Sequence, residues 1–346
     1  MTQTPPLLGK LYLVPAPLDF GCKQEVALQR VMPLGTISTA ANITHWICEN
    51  AKTTRAYLKR IDACSPLSAP IQSQVITELP REVHKKGDHQ GGFDAKPLLA
   101  MTLQGQDIGL VSEAGMPAVA DPGSSVVRAA HDLGLQVVPL VGPVSLLLAL
   151  ASSGMNGQNF AFVGYLPQDA QERSRRVKEL EQLAHKTGQT QMFIETPYRN
   201  VPLWSALVQT LQTNTRLAFS SGITLPDATH RSATVQQWRK LGNGQMPEGL
   251  NNQTPAVFAI GNFMGAFNSY DSRDASPFVR IFGVYVPIVL ATVLVVVVIL
   301  FAFVFRKDAP DIAHEERDEE RARLQRAVGL AYASPIIGTA IAIIFG

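Results

Sequence analysis

The segment Ile108–Gly123, IGLVSEAGMPAVADPG, holds the densest set of features able to do chemistry. A short apolar run of strand type delivers the chain into a loop of small residues with two prolines and an aspartate. Small residues let a ligand approach the backbone closely, and prolines fix a loop so that little entropy is lost on binding. Ligands of open α/β sheets bind outside the carboxyl ends of the strands, which is where this loop would lie. The pattern is neither the GxxxxGK[ST] phosphate loop nor GxGxxG. On residue types alone, a ligand loop and an ordinary strand-to-helix connection stand level.

Two carboxylates, Glu49 and Glu195, each follow a short apolar run and are candidate proton acceptors. Tyr198 and Arg199 have the chemistry to orient an acceptor or to contact phosphate. Simpler roles stand beside these. Glu195 and Arg199 have the spacing of an internal ion pair at a strand end. Glu49 and Lys52 suit a helix cap and a solvated helix face, and Asp121 could cap a helix starting near Gly123. Arg173, Arg175, Arg176 and Lys178 form a basic cluster interleaved with Glu172, Glu179 and Glu181. That is the pattern of a solvated face, with an RNA-phosphate contact as the alternative.

Elements must position these groups. Strand signals at Leu11–Val14, Thr44–Ile47, Ile108–Val111 and Gln136–Leu140 alternate with helical spacing at Ala51–Ile61, Ser124–Leu133 and Ser145–Ser152. Gly134 falls where a C-cap glycine belongs. Alternation of this kind predicts an α/β domain over residues 1–150 with a largely parallel sheet. A second α/β domain is predicted over 151–261. Its strands are Phe160–Tyr165, Gln191–Ile194, Leu217–Ser220 and Thr254–Ile260. Its helices are Glu172–Lys186 and Val201–Leu211, with Ser232–Leu241 read as strand then helix.

Composition bounds the rest. Of 346 residues, 46% are hydrophobic and 17% charged, with a net charge of +2. The bulk is globular, and no basic stripe of a duplex binder is present. Cys22, Cys48 and Cys64 are widely spaced and odd in number, so they read as free thiols of a reducing compartment. No histidine pair has metal-ligand spacing, so no metal is expected. The first residues lack the basic start and long apolar core of a signal peptide. Residues 262–280 read as a polar linker. Residues 281–305 carry no charge and exceed the ~20 apolar residues a bilayer span needs. A charged helix over 306–327 and a possible second membrane segment over 328–346 follow. Basic residues are denser after the first span than before it, against the positive-inside tendency for a cytoplasmic enzyme. A native anchor to the inner membrane and a fused segment are both open.

The loop Ile108–Gly123 resembles the signature VSDAGTPxISDPG of the S-adenosylmethionine (SAM)-dependent methyltransferases that include the tetrapyrrole methylases and ribosomal RNA small subunit methyltransferase I. LYLVPAP at Leu11–Pro17 looks like the opening strand and Pro-rich loop of that family. VPLVGPVS at Val138–Ser145 looks like its PGPSA element. FVGYLP at Phe162–Pro167 and FIETPYR at Phe193–Arg199 are similar to its FxGFLP and FYESPHR. These segments keep the family's order across residues 10–261. The resemblance implies a tetrapyrrole-methylase-like fold of two α/β domains with SAM in the cleft between them, and a homodimer.

Carried onto matching positions, the implied cofactor contacts are Pro15 and Pro17, then Ser112, Ala114, Gly115, Met116, Pro117 and Val119. Ser145 and Leu146 follow, with Thr196 and Pro197 from the second domain. For Ser145 a helix N-cap is the simpler role. Departures lie at Leu18-Asp19-Phe20, at Cys48–Lys52, and at Glu113 and Met116, where the signature has Asp and Thr. The sequence looks closer to an uncharacterised bacterial side-branch. The implied function is SAM-dependent methylation, with ribosomal RNA ribose or a tetrapyrrole-like small molecule as acceptor. The aspartate lacks the family's GDPxxY context, which counts against a corrin or porphyrin. A membrane-tethered SAM-binding scaffold without catalysis is the reading from another class.

Overall fold

The computed structural model describes residues 8–80, 82–83, 92–242 and 246–262. Its first sheet comprises β1 (Leu11–Leu13), β2 (His45–Cys48), β3 (Val75–Glu78), β4 (Ile108–Val111) and β5 (Val137–Pro139). Their order is β3-β2-β4-β1-β5, and every pairing is parallel. Parallel strands share one carboxyl edge. The loops after β1, β2, β4 and β5 therefore emerge together, which is the arrangement the central loop requires.

Helices cover both faces, as a parallel sheet demands. Helix α1 (Leu28–Val31) leads into α2 (Leu34–Asn42), and α2 and α3 (Ala51–Asp62) bury Ile37, Ala40, Leu58 and Ile61 against Trp46. On the other face the 3-10 segment Lys96–Gln104 and α4 (Ser124–Asp132) bury Leu99, Val126 and Ala130 against Ile108 and Leu110. Asn50 caps α3, its side-chain oxygen accepting from Lys52 N at 2.9 Å and Thr53 N at 3.3 Å. Gly109 pairs with both Tyr12 and Trp46. The Trp46 ring lies over it so closely that an added Cβ would sit 2.6 Å from a ring carbon.

Helix α5 (Ser145–Ser153) opens the second half. It is followed by β6 (Phe160–Tyr165), α6 (Ala170–Thr187), β7 (Thr190–Glu195), α7 (Asn200–Thr210), β8 (Arg216–Ser221), β9 (Thr229–Thr234), α8 (Val235–Gly242) and β10 (Ala256–Gly261). The sheet order is β6-β7-β10-β8-β9, with β6 and β7 parallel and the other pairs antiparallel. Helices α6, α7 and α8 pack one face through Leu180, Leu203, Trp204 and Trp238.

Helix α5 covers the other face of this second sheet. Leu146, Ala149 and Leu150 meet Ala218, Val257 and Ala259. Sequence reading places this helix with residues 1–150, yet its apolar side belongs to the second sheet, because both faces of the first are already covered. Val144 stands at its N-cap position and Ser145 is its first helical residue, with no side chain capping it. The simpler role expected for Ser145 is therefore not the one it plays.

Among the elements that sequence periodicity missed are α1, α2, β3 and the 3-10 segment Lys96–Gln104. Pro33, Gly35 and the threonines blur the helical period of residues 28–42, and β3 is a largely exposed edge strand. On α6, Arg175 and Arg176 pair with Glu179 at 3.8 and 3.2 Å on an exposed face, the solvated-face alternative. Among the described residues no helix is long and apolar enough to cross a membrane. The linker beyond Asn262, the candidate spans 281–305 and 328–346, and the charged helix 306–327 lie outside the described residues.

The Trp46–Gly109 contact yields a stability prediction. Gly109→Val overpacks the centre of the first sheet and lowers stability by about 2–3 kcal/mol, read as a lower denaturant midpoint. An unchanged midpoint would show that the Trp46 ring is free to move aside.

Candidate functional site

At the carboxyl edge of the first sheet, the loop after β1 and the loop after β4 are joined by a two-residue antiparallel bridge. Ala16 N donates to Gly115 O at 2.8 Å, and Gly115 N donates to Ala16 O at 2.9 Å. The β1 loop is held from two further sides. Tyr57 Oη, buried, donates to Pro15 O at 2.7 Å. Gly142, in the turn after β5, lies so near Pro15 that an added Cβ would be 2.2 Å from its ring. Pro15, Ala16 and Pro17 are all buried by these contacts.

The central loop is bent by four residues in the left-handed region: Gly115, Ala118, Ala120 and Gly123, with φ of 73°, 63°, 66° and 133°. For alanine this conformation costs roughly 1 kcal/mol, and such strain collects at ligand sites. Ser112, at the end of β4, is 6% exposed. Its hydroxyl oxygen is buried and has no hydrogen-bond partner among the described residues.

Three carboxylates gather at this edge. Glu113 N donates to Glu49 Oε1 at 3.3 Å, and Thr53 Oγ1 donates to Glu113 Oε1 at 3.4 Å. Burial raises the Asp121 carboxyl to about 7, and the charges of Glu49 and Glu113 add to the shift. The phenol of Tyr165 is pushed up by burial first, then by Asp121 and Glu195, with Arg199 opposing. Tyr165 thus stands between the central loop and the end of β7. A register shift between Phe162 and Tyr165, with Gly164 at φ 73°, marks a bulge there, and Tyr165 is 57% exposed.

At the end of β7, Glu195 Oε1 accepts three hydrogen bonds, from Thr196 N and Oγ1 at 2.7 and 3.1 Å and from Arg199 Nε at 2.9 Å, and forms an ion pair with Arg199 Nη2 at 2.8 Å. The ion-pair alternative therefore describes Glu195 and Arg199. Tyr198 is 67% exposed, with the Arg199 guanidinium 5.4 Å from its ring centre.

The sequence-derived contacts fall into separate groups. Pro17 and Ser112 line a cavity of about 250 Å³ between the β1 loop and the start of α3. Met116, Pro117 and Val119 line a groove of about 580 Å³ on the opposite side, against Val127 and Pro139. Pro15, Gly115 and the turn before Ser145 meet at the bridge, where Pro143 O is 3.7 Å from the place a Gly115 Cβ would take. Ala114 is half-buried next to the bridge. Thr196 and Pro197 lie at the end of β7, in the short turn Pro197–Arg199 and the residue before it. The Leu146 side chain is buried in the core between α5 and the second sheet, so a ligand contact there would run through its backbone.

Sequence reasoning missed Tyr165 and the coupling of Asp121 to Glu49 and Glu113. The tyrosine was visible within FVGYLP, but nothing in the sequence shows that a bulge turns it outward. Among the described residues no group of histidine, cysteine and carboxylates could hold a metal ion.

No family model matches the chain. Ribosomal RNA small subunit methyltransferase I of Mesorhizobium japonicum is 29% identical over 231 residues, covering 67% of this chain and 69% of that protein. The protein of the same name from Streptococcus pyogenes is 30% identical over 192 residues, covering 55% of this chain and 57% of its own. The chain thus spans between about half and two thirds of the curated relatives it matches. Among solved structures, the methyltransferase CobJ covers 74% of this chain and 95% of its own at 14% identity, with a TM-score of 0.44, too slight a likeness to argue from. The ordered motifs and these identities point the same way: the chain is similar to proteins named ribosomal RNA small subunit methyltransferase I.

Proposed function

We propose that this protein transfers a methyl group from SAM to RNA, with the cofactor seated on the bridged loops. The bridge between Ala16 and Gly115 is the observation that carries this reading, because it assembles the family's two most telling segments into one surface. RNA as acceptor comes from the relatives, which are named for ribosomal RNA.

The residues fit such a cofactor. Small side chains at Ala114, Gly115, Ala118 and Ala120 leave the backbone open to close approach, and the Ser112 hydroxyl has hydrogen-bonding capacity to spare. Pro15, Pro17, Ser112 and the loop from Ala114 to Val119 would hold it, with Ser145, the Leu146 backbone, Thr196 and Pro197 on the other side. When bound, SAM supplies a methyl group on a sulfonium, already activated for in-line displacement. The protein's share is alignment and exclusion of water.

Acceptor handling falls to the end of β7. Glu195 holds the Arg199 guanidinium through Oε1 and so positions it. The exposed Tyr198 and the remaining face of the Arg199 guanidinium, held by Glu195 and Thr196, would meet an acceptor, the guanidinium suiting phosphate. Glu49 and Asp121 are the carboxylates placed to accept a proton from a hydroxyl acceptor.

The acceptor is tested with methyl-labelled SAM, the full chain and cell extract from which native methylation is absent. Label in the RNA fraction, lost on RNase treatment, is expected. Label confined to small molecules would overturn the RNA assignment. Gly142→Ala forces Pro15 from its place and is expected to weaken SAM binding at least tenfold while leaving the fold intact, as read by calorimetry and circular dichroism. Equal affinity would remove the β1 loop from the cofactor site.

Asp121 gives a pH dependence. Its carboxyl titrates near 7 in the folded chain and near 4 in the unfolded one. Its penalty is therefore absent below about pH 4, grows as pH rises, and is complete above about 7. Relative to Asp121→Asn, the wild type should lose about 1–2 kcal/mol between those limits, allowing for partial exposure. Parallel melting curves for the two proteins across this range would refute the shift.

A further inference from the structure

The cavity between the β1 loop and α3 has a wall whose donors are already used. Thr53 and Thr54 hydroxyls donate to Asn50 O at 3.0 and 2.8 Å. Tyr57 Oη donates to Pro15 O, and the Cys22 thiol donates to Phe20 O at 3.8 Å. Burial first, then the charges of Asp19 and Asp227, push the Cys22 thiol up, so it stays neutral. Arg60, the single cation of the wall, donates to both Asp19 oxygens at 3.0 and 2.9 Å and to Val26 O at 2.6 Å.

What remains unspent accepts hydrogen bonds. Glu113 receives only the long contact from Thr53 within this wall, and Glu25 lies exposed at the rim. Glu25 shares the charge of Arg60 with Asp19, and no ion pair of Glu113 with the Arg60 guanidinium is present. The buried Ser112 hydroxyl, which lines the same cavity, has no partner among the described residues. A phosphate here would face two carboxylates and find no free cation. A group carrying N–H donors would instead complete both Glu113 and Ser112. At about 250 Å³ the space equals roughly eight water volumes of ~30 Å³, enough for one small ring or a short chain.

We propose that this cavity receives an amino group of the methyl acceptor, carried on a compact body, and turns phosphate away. The inference rests on the methyltransferase reading, since it names the acceptor chemistry of that site. The amino group has two sources, the exocyclic amine of a nucleobase or the amine of a free metabolite.

Isosteric pairs that exchange an amino for a keto group test it. The full chain, with saturating S-adenosylhomocysteine present, is titrated calorimetrically with cytidine against uridine, adenosine against inosine, n-butylamine and sulfate. The expected result is at least tenfold tighter binding of one amino partner than of its keto isostere, or saturable binding of n-butylamine alone. The first identifies a nucleobase and the second a free amine. Glu113→Gln should reduce the amino preference about tenfold, and Ser112→Ala provides a second, smaller change to the same wall. Equal binding of isosteres without n-butylamine binding, a preference for the keto partner, sulfate binding, or no binding by any probe overturns the proposal. If S-adenosylhomocysteine binds in that last case, the methyltransferase reading survives; if it does not, that reading fails as well.

Discussion

Two hydrogen bonds between Ala16 and Gly115 hold the site together. They extend the neighbouring ladder in which Val14 N donates to Leu110 O and Leu140 N to Leu13 O, so the loops after three parallel strands remain attached beyond the sheet. The geometry of the bridge dictates the residues around it. Gly115 has φ 73°, which a side chain would oppose, and Gly142 must be glycine for the turn after β5 to lie against Pro15. The Tyr57 hydroxyl closes the remaining side by binding the Pro15 carbonyl. A loop fixed in this way loses little freedom when a ligand arrives, which is the physical advantage of the arrangement.

The same edge carries features that cost stability. Two alanines are held in the left-handed region, three carboxylates crowd together, and Ser112 is buried without a partner. Elsewhere some buried polar groups are well matched, while others, such as Gln191 Oε1 and Ser221 Oγ, have no partner among the described residues. Arg239 reaches the carbonyls of Val208 and Leu211 near the end of α7, and Trp238 Nε1 donates to Leu217 O. At this edge backbone strain, crowded carboxylates and an unpartnered hydroxyl coincide, a combination that suits a ligand site.

Much of this was legible in the sequence, for reasons that differ by element. The strand Ile108–Val111 and the strand Phe160–Tyr165 could be bounded from apolar runs ended by turn residues, and Ser124–Asp132 from its apolar spacing and Gly134. The placement of α5 could not, since its nearly continuous apolar run does not say which sheet it covers. The ordered segments from LYLVPAP to FIETPYR pointed to loops that the structure brings together at the bridge, but sequence order does not reveal that Pro17 and Ser112 line one cavity while Met116, Pro117 and Val119 line another groove. Glu195 illustrates a further limit. Its spacing from Arg199 allowed both an ion pair and a base, and only the structure shows the ion pair formed, with the donors gathered on one oxygen. The coupling of Asp121 to Glu49 and Glu113 depends on three loops meeting in space, which no local pattern encodes.

Amide hydrogen exchange on the full chain, with and without SAM, tests the central claim most directly, because it reports where the cofactor sits. The bridged-loop account predicts added protection in residues 14–18, 112–120 and 142–146, with a weaker effect at 195–198. Protection confined to segments remote from the bridge, such as the outer faces of α6 and α8, would contradict it, as would an unchanged exchange pattern at saturating SAM.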